Sequence, residues 1–182
     1  MIKDLYNLNS NNKITEVSLF NSKINIDESL IKSWLNNKKF KANLLFRMTE
    51  DGDNFETFHK KCDNKGKTII FIETIDGFRF GGYTELEWDT SSTDKNDKST
   101  FIFSFNYREK YNKRNNFYSI GCYKNGPKFG YGPQIWFDYQ RNLRYGKSEK
   151  DKDNSFVLNN KFVDGKNQWT TKELEVYQIK YC

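Results

Sequence analysis

The apolar positions near the start of the chain recur at the spacing of a short amphipathic helix. Over residues 27–37, the large apolar side chains fall on one helical face, at Leu30, Ile31, Trp34 and Leu35. Asp27 precedes this run and can accept hydrogen bonds from the free amides of a first helical turn. We therefore predict a helix that begins after Asp27 and packs its apolar face on another part of the protein.

A second amphipathic helix is predicted after a strand over residues 44–48, where apolar side chains alternate. Its apolar side recurs at helical spacing, at Phe55, Phe58, His59 and Cys62. Asp53 and Glu56 resemble a capping box at the start of this helix, and Gly66 suits its end. The pattern indicates two short helices with a strand between them.

In the second third of the chain the apolar period changes from helical to alternating. Residues 68–88 are rich in β-branched and aromatic side chains on both sides of Asp76-Gly77, a dipeptide typical of hairpin turns. The adjacent Gly81 and Gly82 predict a bulge or the close approach of a large neighbour. Residues 90–99 are predicted to form a polar loop. Further strands are predicted over residues 100–105, 117–123, 134–137 and 171–179.

The order of these elements predicts an α+β, mostly β fold. Two early helices followed by strands favour a two-sheet antiparallel β-sandwich with a few short flanking helices, and they disfavour a βαβ alternation. Hydrophobic residues make up only 36% of the 182 positions, so the core must rely on large rings, chiefly the 16 Phe and 11 Tyr. The length suits one domain, and we predict a flexible N-terminal arm over residues 1–13 and a single domain over residues 14–182.

The apolar segments are short throughout the sequence. The longest uninterrupted run covers residues 69–72, far below the ~20 residues that cross a bilayer, so we predict no transmembrane segment. The first ten residues carry no apolar core of a secretory signal. We therefore expect a cytoplasmic protein, with the nucleus as the alternative location, and we expect it to be a monomer.

The residues that usually carry chemistry are few and scattered. The chain has one histidine and three widely spaced cysteines, which match neither a zinc site nor a disulfide framework. A dyad of Cys62 with His59 is conceivable, but a packed histidine and a buried thiol are the favoured interpretation; only Cys182 is expected to be exposed. We assign no catalytic residue, no metal ligand and no cofactor, and we predict that the protein is not an enzyme.

The formal net charge of +6 permits an acidic partner. Cations and aromatic rings are interleaved over residues 106–118, where basic groups could contact phosphates and rings could stack on unpaired bases. Nucleic-acid binding is therefore the alternative function. Its candidate residues are Tyr107, Arg108, Lys110, Tyr111, Lys113 and Arg114.

Several ordered motifs resemble the TLDc domain family, which includes the eukaryotic oxidation resistance proteins. The resemblance covers roughly residues 14–181 and rests on six stretches in the family's order. They are LLFR at 44–47, FHKKCDNKG at 58–66, GFRFGGY at 77–83 followed by Trp88, KSTFIFS at 98–104, GPKFG at 126–130 (similar to a family turn) and LEVY at 174–177.

The resemblance implies a fold of two packed antiparallel sheets with a few helices. It also implies a non-enzymatic protein-interaction module, linked to the oxidative-stress response and to binding or regulation of the vacuolar proton-pumping ATPase. Hairpin geometry and packing account for the family's common residues, so we expect structural roles for them. In this chain they are Phe80, Gly81, Gly82, Trp88 and Glu175.

Overall fold

The computed structural model describes residues 7–8, 14–15, 18–114, 117–130, 135–138, 142–148, 155–156, 162–163 and 165–182. These residues form short helices and thirteen strands. The helices are α1 (Glu28–Trp34), α2 (Met48–Asp51) and α3 (Phe55–Cys62). The first strands are β1 (Asn7–Leu8), β2 (Ile14–Thr15), β3 (Phe40–Arg47), β4 (Thr68–Thr74), β5 (Arg79–Thr84), β6 (Thr93–Lys95) and β7 (Phe101–Ser104). The remaining strands are β8 (Glu109–Asn112), β9 (Ile120–Tyr123), β10 (Gly126–Phe129), β11 (Trp136–Phe137), β12 (Tyr145–Lys147) and β13 (Gln168–Tyr181).

Most strands join one large sheet in the order β11-β12-β13-β4-β5-β7-β8. The long strand β13 pairs with β12 near its start and with β3 along its second half, while β4 runs beside its centre. A smaller sheet has the order β10-β9-β6. All pairs between these strands are antiparallel, which confirms the predicted α+β sandwich.

The large sheet is buried on both faces, which explains the uninterrupted apolar run in β4. Ile70 and Ile72 face a core shared with α3 and the smaller sheet. Ile69 and Phe71 face a second core, which is covered by α1 and by residues 18–26. Because successive strand residues point to opposite faces, a strand between two cores needs apolar residues at every position.

The predicted first helix is confirmed as α1, and the Asp27 side chain accepts hydrogen bonds from the backbone amides of Ser29 and Leu30. The second is confirmed as α3, but its N-cap is Asn54 and not the predicted Asp53. Asn54 Oδ1 accepts from the Thr57 amide at 2.8 Å. The Asp53 carboxylate is used elsewhere, in an ion pair with Arg144.

The hairpin around Asp76-Gly77 is confirmed, with Gly77 in the left-handed region that a tight turn requires. Two loops were predicted wrongly. Residues 90–99 contain β6, which pairs with β9. Residues 126–130 were expected to form a turn, but they contain β10. The turn lies between Tyr123 and Gly126, and β10 then pairs antiparallel with β9.

Two strand starts also differ from the expectation. β3 begins at Phe40 and not near residue 44, because the β13 backbone continues to pair with it. β9 begins at Ile120 and not at residue 117. Residue 134, the first of the strand predicted over residues 134–137, lies outside the described residues. Most of the predicted arm also lies outside them; its Asn7–Leu8 pairs with β2. No helix in the described ranges is long and apolar enough to span a bilayer.

Candidate functional site

The family-motif residues Phe80, Gly81, Gly82 and Trp88 lie in the interior of the sandwich. An added Cβ atom at Gly81 would lie 1.9 Å from the Ile70 carbonyl oxygen, and one at Gly82 would lie 2.5 Å from the Phe129 ring. The close approach that the glycine pair predicted is therefore present. Phe80 is buried, its ring edge against Trp169. Trp88 is also buried, and its indole N–H donates to Thr68 Oγ1 at 2.8 Å.

Glu175 is the centre of a buried polar cluster. Its Oε1 accepts from Arg47 Nε at 2.7 Å and from the backbone amide of Lys23 at 2.9 Å. Its Oε2 accepts from the hydroxyls of Ser22, at 2.5 Å, and Tyr177, at 3.1 Å. Arg47 also donates to the Asn21 carbonyl oxygen. The cluster therefore fastens the chain near residue 22 to two strands of the large sheet.

The pKa values in this cluster follow from burial and pairing. Burial lowers the pKa of Arg47, but its hydrogen bonds to Glu175 and Glu50 outweigh that effect and leave the pKa raised. Burial also raises the pKa of Tyr177, and the neighbouring Glu175 carboxylate adds to the increase. Both groups therefore keep their protons at neutral pH, and their polar atoms are engaged in bonds that hold the fold.

The histidine and the internal thiols are held in packing positions. His59 Nδ1 lies 2.9 Å from Asp63 Oδ1, at the end of α3. Cys62 is fully buried, and burial, with a smaller contribution from Asp63, raises the pKa of its thiol. Burial likewise raises the pKa of Cys122. Among the described residues, no group of His, Cys, Asp or Glu has the arrangement of a metal site.

The thiols give a testable prediction. Because the thiolate is the reactive form, Cys62 and Cys122 are expected to resist peroxide and a disulfide exchange reagent at neutral pH. Cys182 is exposed, so the native protein should release one equivalent of chromophore from the exchange reagent and the denatured protein three. Rapid native release that persists in a Cys182→Ser variant would contradict this.

The basic and aromatic segment covers part of the turn after β7, then β8 and the residues that follow it. Arg108 pairs with Asp27 at 2.9 Å, and the Lys113 ammonium donates to the carbonyl oxygens of Arg114 and Phe117. Tyr111 is buried, and its hydroxyl donates to Glu109 at 2.6 Å. The Tyr107 ring lies beside Phe78. The buried ring of Tyr111 is not accessible to a base, whereas the side chain of Arg108 is 63% exposed.

Lys110 is half-buried, as is Lys113, whereas Arg108 and Arg114 are exposed. Lys110 donates to the Trp34 carbonyl oxygen at 3.1 Å and lies 4.4 Å from the centre of the Phe101 ring. Residues 115 and 116 of the predicted segment lie outside the described residues. Nucleic-acid binding by this segment stays a prediction.

One surface cleft was not predicted from the sequence. It is a cleft of about 620 Å³ where the β4–β5 turn meets β11, β12 and the start of β13. Ile75 and Tyr145, with exposed fractions of 63% and 38%, line it. The ion pairs Lys147–Asp138 and Lys166–Asp76 border it. The sequence did contain one signal for this cleft. Ile75 immediately precedes the Asp76-Gly77 turn, and residues beside a hairpin turn are usually exposed to solvent.

The lining of this cleft includes a polar group without a described partner. The buried indole nitrogen of Trp169 has no hydrogen-bond partner in the ranges that the structure covers. Gly146 leaves room for the Trp169 ring, since an added Cβ would lie 2.0 Å from it. The cleft thus combines exposed apolar groups, paired charges and a close-packed aromatic floor.

Comparison with known proteins places these features in a family. The chain is 26% identical to the "MTOR-associated protein MEAK7" of Gallus gallus over 150 residues, which are 76% of this chain and 31% of the relative. It is 24% identical to the protein of the same name from Danio rerio over 136 residues, 63% of this chain and 30% of the relative. The chain therefore spans about a third of the length of these relatives. The model of the TLDc domain matches residues 9–180, and the chain belongs to the TLDc domain family.

Proposed function

We propose that this chain is a non-enzymatic protein-interaction module of the TLDc type, and that it docks on a subunit of the vacuolar proton-pumping ATPase. The cleft carries the proposal: Ile75 and Tyr145 are exposed there, whereas the family-motif residues Phe80 and Trp88 are buried in the core. Fully desolvated apolar and aromatic anchors supply most of the energy of protein interfaces. The name of the relatives, MTOR-associated protein, is consistent with membership of a larger assembly.

The charges around the cleft favour a polypeptide partner. Lys147–Asp138 at 3.2 Å and Lys166–Asp76 at 2.7 Å place both signs of charge at its rim. A rim of mixed charge around an apolar centre is the usual anatomy of a protein interface. A partner would cover Ile75 and Tyr145 with an apolar side chain and would meet the rim charges with its own polar groups.

Replacing Ile75 with aspartate is the direct test. The purified variant is expected to recover at least about tenfold less ATPase subunit from a lysate of its own cell type, because a buried carboxylate would replace an apolar anchor. Recovery is measured by quantitative mass spectrometry against the unchanged protein. The side chain of Ile75 is exposed, so the variant should keep its melting temperature.

Leu44→Asp is the matched control. Leu44 is another exposed apolar residue, with an exposed fraction of 36%, and its strand pairs with Tyr177 of β13. Tyr177 is seven residues from Thr170 of the cleft, or about 23 Å along an extended strand. Equal losses with both variants would contradict docking at the cleft, and recovery of no ATPase subunit by the unchanged chain would contradict the proposed partner.

A role in the oxidative-stress response is compatible with this proposal and acts through the partner. The buried internal thiols make the chain itself a poor peroxide scavenger. Deletion of the protein is therefore expected to change organelle pH and survival under peroxide together. The module would act in the cytoplasm, as a monomer, on the cytoplasmic face of the pump.

A further inference from the structure

A second, smaller cavity lies on the opposite core of the large sheet, beside the end of α1. Its volume is about 210 Å³. Lysine residues from three separate parts of the chain line it: Lys38 after α1, Lys98 before β7, and Lys110 in β8. Aromatic side chains form much of the remaining wall, including Trp34, Phe101 and Tyr181.

The ammonium of Lys110 is the least solvated of the three. It donates to the Trp34 carbonyl oxygen and lies over the Phe101 ring, and burial lowers the pKa of this group. No carboxylate lies within ion-pair distance of Lys110 among the described residues. A half-buried cation without an anion costs free energy, and a bound anion would recover it.

The other end of the cavity is an ordered group of hydroxyls and cations. The hydroxyls of Tyr83 and Tyr181 are 2.9 Å apart, and Lys38 and Lys67 lie 5.1 and 5.0 Å from the centre of the Tyr181 ring. Lys67 pairs with Glu85 at 2.5 Å, and Tyr83 also donates to Glu85. Glu85 is the one carboxylate among the described residues that line the cavity, and it is already paired with Lys67.

Lys38, Lys98 and Lys110 remain as an excess of positive charge around this space. Across the ranges that the structure covers, none of the three forms an ion pair with a carboxylate. Lysine binds phosphate as a compact point charge, and several converging lysines suit an anion of charge greater than one. The cavity is smaller than the ~300 Å³ of typical pockets for whole organic ligands, so it has room for a head group alone.

We propose that this cavity binds a phosphomonoester group, with Lys110 as its innermost cation and Lys38 and Lys98 at its mouth. The group could belong to a small soluble molecule or to a phospholipid head group, since the same dianion would meet the same three ammonium groups. The site is separate from the cleft at Ile75 and does not depend on the proposed protein partner.

Binding is tested on the full chain by isothermal titration with inorganic phosphate and with glycerol 3-phosphate, at low and physiological salt. A second arm measures sedimentation with phosphatidylcholine vesicles that contain or lack phosphatidic acid. We expect binding of the soluble phosphomonoester, and Lys110→Gln should weaken it by about tenfold or more, the loss typical of a hydrogen bond to a charged group. Lys98→Gln should weaken it as well. Lys110→Gln could weaken binding indirectly, by perturbing the packing on Trp34. Lys98 is exposed, so Lys98→Gln tests the site without that effect.

Lys60→Gln is the matched control, because it removes the same charge from the exposed side of α3. Binding that falls equally in all three variants would show general electrostatic attraction and would overturn the proposed site. Absence of binding by both soluble probes and by the vesicles would overturn it too.

Sedimentation with phosphatidic acid that needs Lys110 identifies a lipid source, whereas soluble binding without sedimentation identifies a free phosphomonoester. A gel shift with single-stranded oligonucleotides that survives Lys110→Gln and Lys98→Gln, in the absence of phosphomonoester binding, would favour the nucleic-acid alternative instead.

Discussion

Replacing Gly81 with alanine is expected to lower the free energy of unfolding by about 3 kcal/mol or more, the upper end for overpacking a core. The added Cβ would lie 1.9 Å from the Ile70 carbonyl oxygen and 2.8 Å from the Phe103 ring. The carbonyl is part of the β4 backbone, which cannot rotate away as a side chain can. The pairing of β4 with β5 must therefore open locally. Urea unfolding followed by tryptophan fluorescence measures the loss.

Two other strand glycines serve as matched controls for this prediction. At Gly82 the new Cβ would meet the Phe129 ring at 2.5 Å, so the smaller sheet would have to shift and a loss between the two extremes is expected. At Gly121 it would meet side-chain atoms of Tyr123, Lys128 and Asp94 at 2.7–2.9 Å and no backbone atom as close, so a smaller loss is expected. A Gly121→Ala variant as unstable as Gly81→Ala would show that strand glycines matter here for another reason.

Replacing Arg47 with methionine is expected to lower the free energy of unfolding by about 3–5 kcal/mol, the range for removing one partner of a buried ion pair. Arg47 and Glu175 are almost completely buried and are joined by a 2.7 Å bond. Without the guanidinium, the Glu175 carboxylate would keep its neutral donors but lose its counter-charge. The chain near Asn21 would also lose a hydrogen bond to the sheet.

Arg108→Met provides the control for a lost arginine at the surface. Arg108 pairs with Asp27 at 2.9 Å, but its side chain is 63% exposed. Surface pairs contribute about 1 kcal/mol or less, so this variant should be close to the unchanged protein. Adding Glu175→Gln to Arg47→Met should restore part of the lost stability, since it removes the unpaired charge. If the double variant were less stable than Arg47→Met alone, the ion-pair explanation would be wrong.

Both predictions concern elements that support the two surfaces proposed for function. Gly81 lies in the β4–β5 hairpin, and Ile75, at the turn of this hairpin, lines the cleft. Glu175 and Arg47 hold residues 21–23 on the face of the sheet that also carries α1, and the end of α1 borders the lysine cavity. Binding experiments on these variants are therefore informative only at temperatures where each remains folded.

The sequence alone determined the elements whose information is local. Helical spacing and Asp27 located α1, and alternation on both sides of Asp76-Gly77 located the central hairpin. Gly81 and Gly82 predicted the close approach of a neighbouring group, because a missing side chain inside a strand leaves space for it. The family motifs, which are themselves ordered sequence patterns, carried the two-sheet fold.

Only the tertiary structure decided features that depend on distant partners. Asn54 caps α3 in place of Asp53 because Asp53 pairs with Arg144, which is 91 residues away. The loop predicted over residues 90–99 contains β6 because β9 offers it a free edge. Lys110 belonged to a predicted nucleic-acid segment, and packing against Trp34 and Phe101 turned it toward a cavity with Lys38 and Lys98. Local propensity carries no information on such contacts, because their energies arise only when chain folding brings the two segments together.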